Sequence, residues 1–67
     1  MRRNLLKAKI VENGLTMEEL ADKISVSRTT LFYKMSGKTQ FTLDEVVKIC
    51  DVLNIHTPEE KTNIFLA

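Results

Sequence analysis

Arg28, Thr29, Phe32 and Tyr33 fall on one face of a helix that begins at Arg28, while Leu31 and Met35 fall on another. The first face carries the chemistry that reads the edges of base pairs. The Arg28 guanidinium can donate two bonds to guanine O6 and N7. Thr29 can touch a thymine methyl or accept from an exocyclic amine, and the Phe32 ring can pack on thymine methyls. Tyr33 can hydrogen-bond a base edge or a phosphate. The competing assignment for Phe32 and Tyr33 is a place in the core or in a dimer seam, since large apolar groups left on a surface mark interaction of some kind.

Phosphate chemistry is available along the margins of this surface. Thr16 and Met17 open a helix whose amide end carries partial positive charge. Ser27 can face the backbone beside its capping role, and Lys38, Thr39 and Gln40 follow the reading helix. Lys34 can lay its methylene stem on the core and present its ammonium to a phosphate. Arg3 and Lys9 can reach flanking phosphates or stand as solvated helix charges. Each neutralised phosphate adds close to one to the salt slope of binding, so about 4 contacts per copy make binding steeply salt-dependent.

Other chemistry finds little to work with in 67 residues. Cys50 is the single cysteine, which excludes an internal disulfide and the Cys-rich zinc patterns; its spacing from Val46 and Leu53 makes it a buried thiol. His56 is the single histidine and stands beside Thr57, a surface or capping position without an acid–base partner. Glu18-Glu19 and Glu59-Glu60 sit where helices start and complement the macrodipole instead of forming a catalytic pair. There is no Gly-rich phosphate loop. The expectation is therefore a protein that is not an enzyme and needs no metal or cofactor. A chain of this length holds one domain, 1–67, with little room for a walled active site. No apolar run approaches a membrane span, and the charged start does not read as a secretory signal, so a cytoplasmic location is expected.

Net charge is +1, but it is unevenly placed. Residues 1–40 carry +4 and residues 41–67 carry −3, and no acid occurs from Lys23 to Gln40. The basic part coincides with the candidate reading helix.

The elements that position these residues are all helical. Apolar spacing follows the helical period throughout, with no clean alternation. A first helix runs from about Asn4 to Glu12 with Leu6 and Ile10 inward, and Asn13-Gly14 stops it. Thr16-Met17-Glu18-Glu19 is a capping box opening a helix with Leu20, Ala21 and Ile24 on one face. Ser25-Val26 interrupts, and Ser27 caps a third helix through about Ser36, ended by Gly37. Thr42-Leu43-Asp44-Glu45 is a second box, opening a helix with Leu43, Val46, Val47, Cys50 and Leu53 at core spacing. Thr57-Pro58-Glu59-Glu60 is a third, opening a last helix that carries Ile64 and Phe65. Residues 16–36 then form two short helices joined by a tight corner. Ala21 sits at the close approach, Val26 plugs the corner, and Leu31 buries the second helix against the first.

The run LTMEELADKISVSRTTLFYKMSGKTQFTLDEVVKICDVLNI resembles the lambda-repressor-like helix-turn-helix family, which includes phage repressors and Cro proteins. The resemblance covers roughly residues 4–57. It rests on Thr16-x-x-Glu19-Leu20-Ala21, Val26-Ser27-Arg28, Ser36-Gly37-Lys38 and the Asp44–Leu53 helix followed by Asn54-Ile55. It implies a compact five-helix all-α domain and a sequence-specific DNA-binding regulator, with LFYKMSGKTQFT and NIFLA closest to short phage-encoded members. The family often has glycine where Ser25 stands, glutamine where Met17 stands and an apolar residue where Lys34 stands.

One module of this size needs two half-sites for specific affinity, so a homodimer on a pseudo-palindrome is expected. The apolar residues Ile55, Ile64, Phe65 and Leu66 are the expected seam. The alternative is a module of the same fold that binds another repressor, as antirepressor or corepressor. Near-neutral charge and Met17 favour it; Arg28, Lys38 and the acid-free stretch oppose it.

Overall fold

The computed structural model describes residues 1–66. Five α-helices follow in order: α1 (Arg3–Glu12), α2 (Met17–Lys23), α3 (Arg28–Met35), α4 (Leu43–Val52) and α5 (Pro58–Lys61). A π-helical turn, Thr62–Leu66, follows α5. No strand occurs among the described residues.

Local side-chain bonds start each of the helices α2 to α5. The Thr16 hydroxyl accepts from the Glu19 amide at 3.1 Å, and the Glu19 carboxylate accepts from the Thr16 amide at 3.0 Å. Thr42 and Glu45 make the same reciprocal pair at 3.2 and 2.8 Å. Such a cap contributes about 1 kcal/mol. The third box forms only in half. Thr57 accepts from the Glu60 amide at 3.2 Å, but the Glu60 carboxylate meets the Thr57 hydroxyl and Lys9 instead of the Thr57 amide.

Four residues take left-handed backbone at the helix ends: Gly14, Ser25, Gly37 and Asn54. Ser25, at φ +63°, makes the corner between α2 and α3 without glycine. Such a residue costs on the order of 1 kcal/mol, which the packing around it offsets.

The core joins Leu6 and Ile10 of α1, Leu20 and Ala21 of α2, Leu31 and Met35 of α3, and Ile49 and Cys50 of α4, with Ile24, Leu53, Ile55 and Ile64 from the connections and the final turn. Two sequence expectations are corrected here. Leu43 and Val47 stand at core spacing but are 78% and 60% exposed; α4 turns Ile49 inward instead. Its inward stripe is the buried Ile49, Cys50 and Leu53 with the partly buried Val46, which has the same period rotated about the axis. Ile55 and Ile64, assigned to a dimer seam, are 1% and 3% exposed and complete the core of the single chain. The wide π turn carries Ile64 inward, and the Arg2 amide donates to its carbonyl at 2.8 Å. That contact ties the end of the described chain to its beginning.

Candidate nucleic-acid interface

The corner between α2 and α3 is fully bonded despite its left-handed residue. The Ser25 amide donates to Asp22 O at 3.3 Å and the Val26 amide to Ala21 O at 3.0 Å. Ala21 is 1% exposed, as a close helix–helix approach requires, and Val26 packs partly buried against the core. Ser27 then starts α3: its hydroxyl accepts from the Thr30 amide at 3.0 Å and donates to Thr30 Oγ1 at 2.8 Å.

Within α3, Leu31 and Met35 anchor the inner side. Arg28, Thr29, Phe32 and Tyr33 are all exposed, so the structure brings the four candidate base-contacting residues together on one open flank. Phe32 is 62% exposed. Its ring meets the edge of Tyr33 with centroids 6.3 Å apart. Two large rings left in solvent on one short helix are a poor arrangement for an isolated protein, since burying such a group stabilises by about 1.5–3 kcal/mol. They become favourable once a partner covers them.

The segment after α3 folds back on its last turn. The Tyr33 carbonyl accepts from the Lys38 amide at 3.0 Å and from the Ser36 hydroxyl at 2.9 Å. Gly37, at φ +85°, permits the reversal. The Lys38 ammonium then lies 4.5 Å from the centre of the Tyr33 ring, a cation–π contact beside the exposed flank of α3. Thr39 and Gln40 are exposed next to it.

The margins are less uniform. Thr16 and Ser27 are exposed, with hydroxyls engaged in capping. Met17 packs partly buried against the core. Arg3 donates to the Ser36 carbonyl at 3.2 Å, closing the end of α3. Lys9 pairs with Glu60 at 2.9 Å and Glu12 at 3.4 Å, a structural helix charge. These bonds raise the Lys9 pKa and lower that of Glu60.

Lys34 is largely covered, and its ammonium already has partners within the chain. It donates to Glu45 Oε1 at 2.8 Å and to the Gln40 carbonyl at 3.0 Å, with side-chain exposures of 12% for Lys34 and 14% for Glu45. The Lys34 bond, followed by the bond from the Thr42 amide, holds the Glu45 carboxyl below its ordinary range. Sequence reasoning missed Glu45 because it read that residue only as the far half of a capping box.

Cys50 is buried, and desolvation pushes its thiol pKa up. Among the described residues no group of three or more His, Cys, Asp or Glu side chains could hold a metal ion, and no helix is long and apolar enough to cross a membrane.

A comparison with protein families matches the Helix-turn-helix model over residues 6–59. The chain belongs to the helix-turn-helix family. The match spans all of α2, the corner and α3, and it identifies this helix-turn-helix protein as a small all-helical DNA-binding regulator, of a family that is not one of enzymes. No curated protein and no solved structure matches it.

Proposed function

We propose that this helix-turn-helix protein is a sequence-specific transcriptional regulator of the Cro or repressor type that occupies an operator by setting α3 in the major groove. The observation that carries this reading is the open flank of α3: Arg28, Thr29, Phe32 and Tyr33 are exposed together while Leu31 and Met35 hold the helix from behind. Arg28 reads guanine, Thr29 and Phe32 read thymine methyls, and Tyr33 bonds a base edge or phosphate. Ser27, Lys38, Thr39 and Gln40 grip the backbone on either side of α3. Thr16 and Met17 remain weaker contributors, because α2 is only 7 residues long and Met17 is partly packed away. Occupancy of the site blocks or adjusts polymerase access, with no covalent step. The resemblance of LFYKMSGKTQFT to short phage-encoded relatives supports a phage or prophage source and work in the cytoplasm.

The active form in this reading is a homodimer. The longest dimension of the chain is 28 Å, whereas successive major grooves on one side of a duplex lie roughly 34 Å apart. Two copies are needed to fill two half-sites. With Ile55 and Ile64 in the core, Phe65 and Leu66 of the expected seam remain beside an apolar groove also lined by Phe41, Leu43 and Val46.

Selection of bound sites from random duplexes tests the reading. A recovered site with dyad symmetry and half-sites one helical turn apart is the expected result. Recovery of no enriched sequence would sink it. The second reading, a module that binds another repressor, draws on the exposed apolar residues of α4, Leu43 and Val47. Binding to random duplex at low salt separates the two, since a protein-binding module has no need of it.

A further inference from the structure

Three segments converge on one ammonium and one carboxylate. Lys34 comes from the last turn of α3, Gln40 from the connection, and Glu45 from the first turn of α4. A single oxygen, Glu45 Oε1, accepts from Lys34 Nζ at 2.8 Å and from the Thr42 amide at 2.8 Å, while Lys34 Nζ also donates to the Gln40 carbonyl at 3.0 Å. The connection is therefore held at both ends. Its near end is fixed by the Lys38 and Thr39 amides on the Tyr33 carbonyl, at 3.0 and 3.4 Å. Its far end is fixed by Lys34 at Gln40.

We infer that Lys34 and Glu45 form a positioning strut that fixes the Lys38–Gln40 segment relative to the Arg28–Tyr33 flank, and so sets the phosphate grip in register with the bases being read. The inference rests on the operator reading above. Neither residue touches DNA in it. The side chains are 12% and 14% exposed, whereas Lys38, Thr39 and Gln40 are exposed. An ammonium already neutralised by a carboxylate releases no counterion when DNA binds, so it adds nothing to the salt slope. Its contribution is geometric. A loop free to drift must be ordered at the moment of binding, at the expense of affinity; a loop already fixed is not. Glutamate suits the shared position because its one carboxylate can cap α4 and accept from α3 together, and glutamine keeps the cap while losing the charge.

The two roles open to Lys34 predict opposite signs. If its ammonium served a phosphate, Glu45→Gln would free it and remove a negative charge near the duplex. Operator binding would tighten, and Lys34→Met would flatten the salt slope by about one. With a strut, both substitutions weaken operator binding, by roughly 5- to 50-fold, and Lys34→Met leaves the slope unchanged. The double variant is then no weaker than the weaker single variant, and Lys34→Arg retains most of the affinity.

The experiment is titration of the full chain and these variants on the selected operator duplex over a range of salt, at a temperature where circular dichroism shows every variant folded. Amide hydrogen exchange at Lys38 and Thr39 is read in parallel, and Glu45→Gln is expected to accelerate it. Tighter binding by Glu45→Gln, a flatter slope in Lys34→Met, or folded variants with unchanged affinity would each overturn the strut while leaving the operator reading intact. A wild-type chain that binds no duplex overturns the operator reading, and the strut with it.

Discussion

Asn54 Nδ2 donates to Asn13 Oδ1 at 3.0 Å, joining two helix ends that lie 41 residues apart in sequence. Asn13 Nδ2 in turn donates to Lys9 O at 2.8 Å and to Leu53 O at 3.1 Å. One side chain thus adds a second bond to a carbonyl near the end of α1, which the Asn13 backbone N–H also meets, and satisfies the Leu53 carbonyl at the end of α4. The left-handed backbone of Asn54, at φ +57°, supports this geometry. Asn13→Ala is expected to remove all three bonds and to cost about 1–3 kcal/mol of stability. Chemical denaturation checks it, and a change below about 0.5 kcal/mol would mean that water replaces the latch.

Phe32 and its neighbour Leu31 separate binding from stability. Leu31 is wholly buried and Phe32 is 62% exposed. Leu31→Ala is expected to cost about 2–5 kcal/mol of folding free energy. Phe32→Ala is expected to change stability by less than about 0.5 kcal/mol. The same substitution should weaken operator binding markedly. Melting curves beside DNA titrations test the split, and a large fall in melting temperature for Phe32→Ala would contradict an uncovered ring.

Arg28→Ala is expected to weaken operator binding by about 1–3 kcal/mol and to relax preference at one base pair. Binding to a panel of single-base operator variants measures this. Equal loss on every sequence would move Arg28 from base reading to the backbone.

Lys38→Ala is expected to weaken binding on all sequences alike and to lower the salt slope by about one. Its ammonium rests over the Tyr33 ring at 4.5 Å, so truncation also uncovers that ring. An unchanged slope would remove Lys38 from the phosphate grip.

Glu45 and Glu60 both have folded pKa values lowered from 4.5, by Lys34 and by Lys9 respectively as the first cause. A lowered carboxyl pKa contributes stability that is whole above the ordinary value and is lost as pH falls through the folded value. Glu45→Gln is therefore expected to destabilise the fold near neutral pH and to matter less in acid, at about pH 3. Denaturation at the two pH values checks the direction; an equal cost at both would show that the ion pair contributes nothing.

What the sequence revealed of the fold, and what it concealed, follows from range. The Thr16–Glu19 and Thr42–Glu45 boxes and the Ser27 cap are bonds across three residues, so their residue types announce them. The corner at Ser25, the Gly14 and Gly37 stops and the exposed α3 flank were legible for the same reason. Choosing between Val47 and Ile49 on α4 was not, because two overlapping stripes satisfy one period and only tertiary packing selects between them. Ile55 and Ile64 read as spare apolar surface because nothing local announces the π turn that carries Ile64 inward. The Lys34–Glu45 contact spans 11 residues and crosses between elements, where spacing rules are silent.

Cys50 is 4% exposed, the lone thiol of the chain and walled in by aliphatic neighbours. An alkylating reagent can reach it only when the interior opens, and the raised pKa makes the closed form slower still. The chain thus carries its own clock for breathing motions. Labelling rates with and without operator DNA would read how far a bound duplex quiets the whole domain, with no probe attached to the surface.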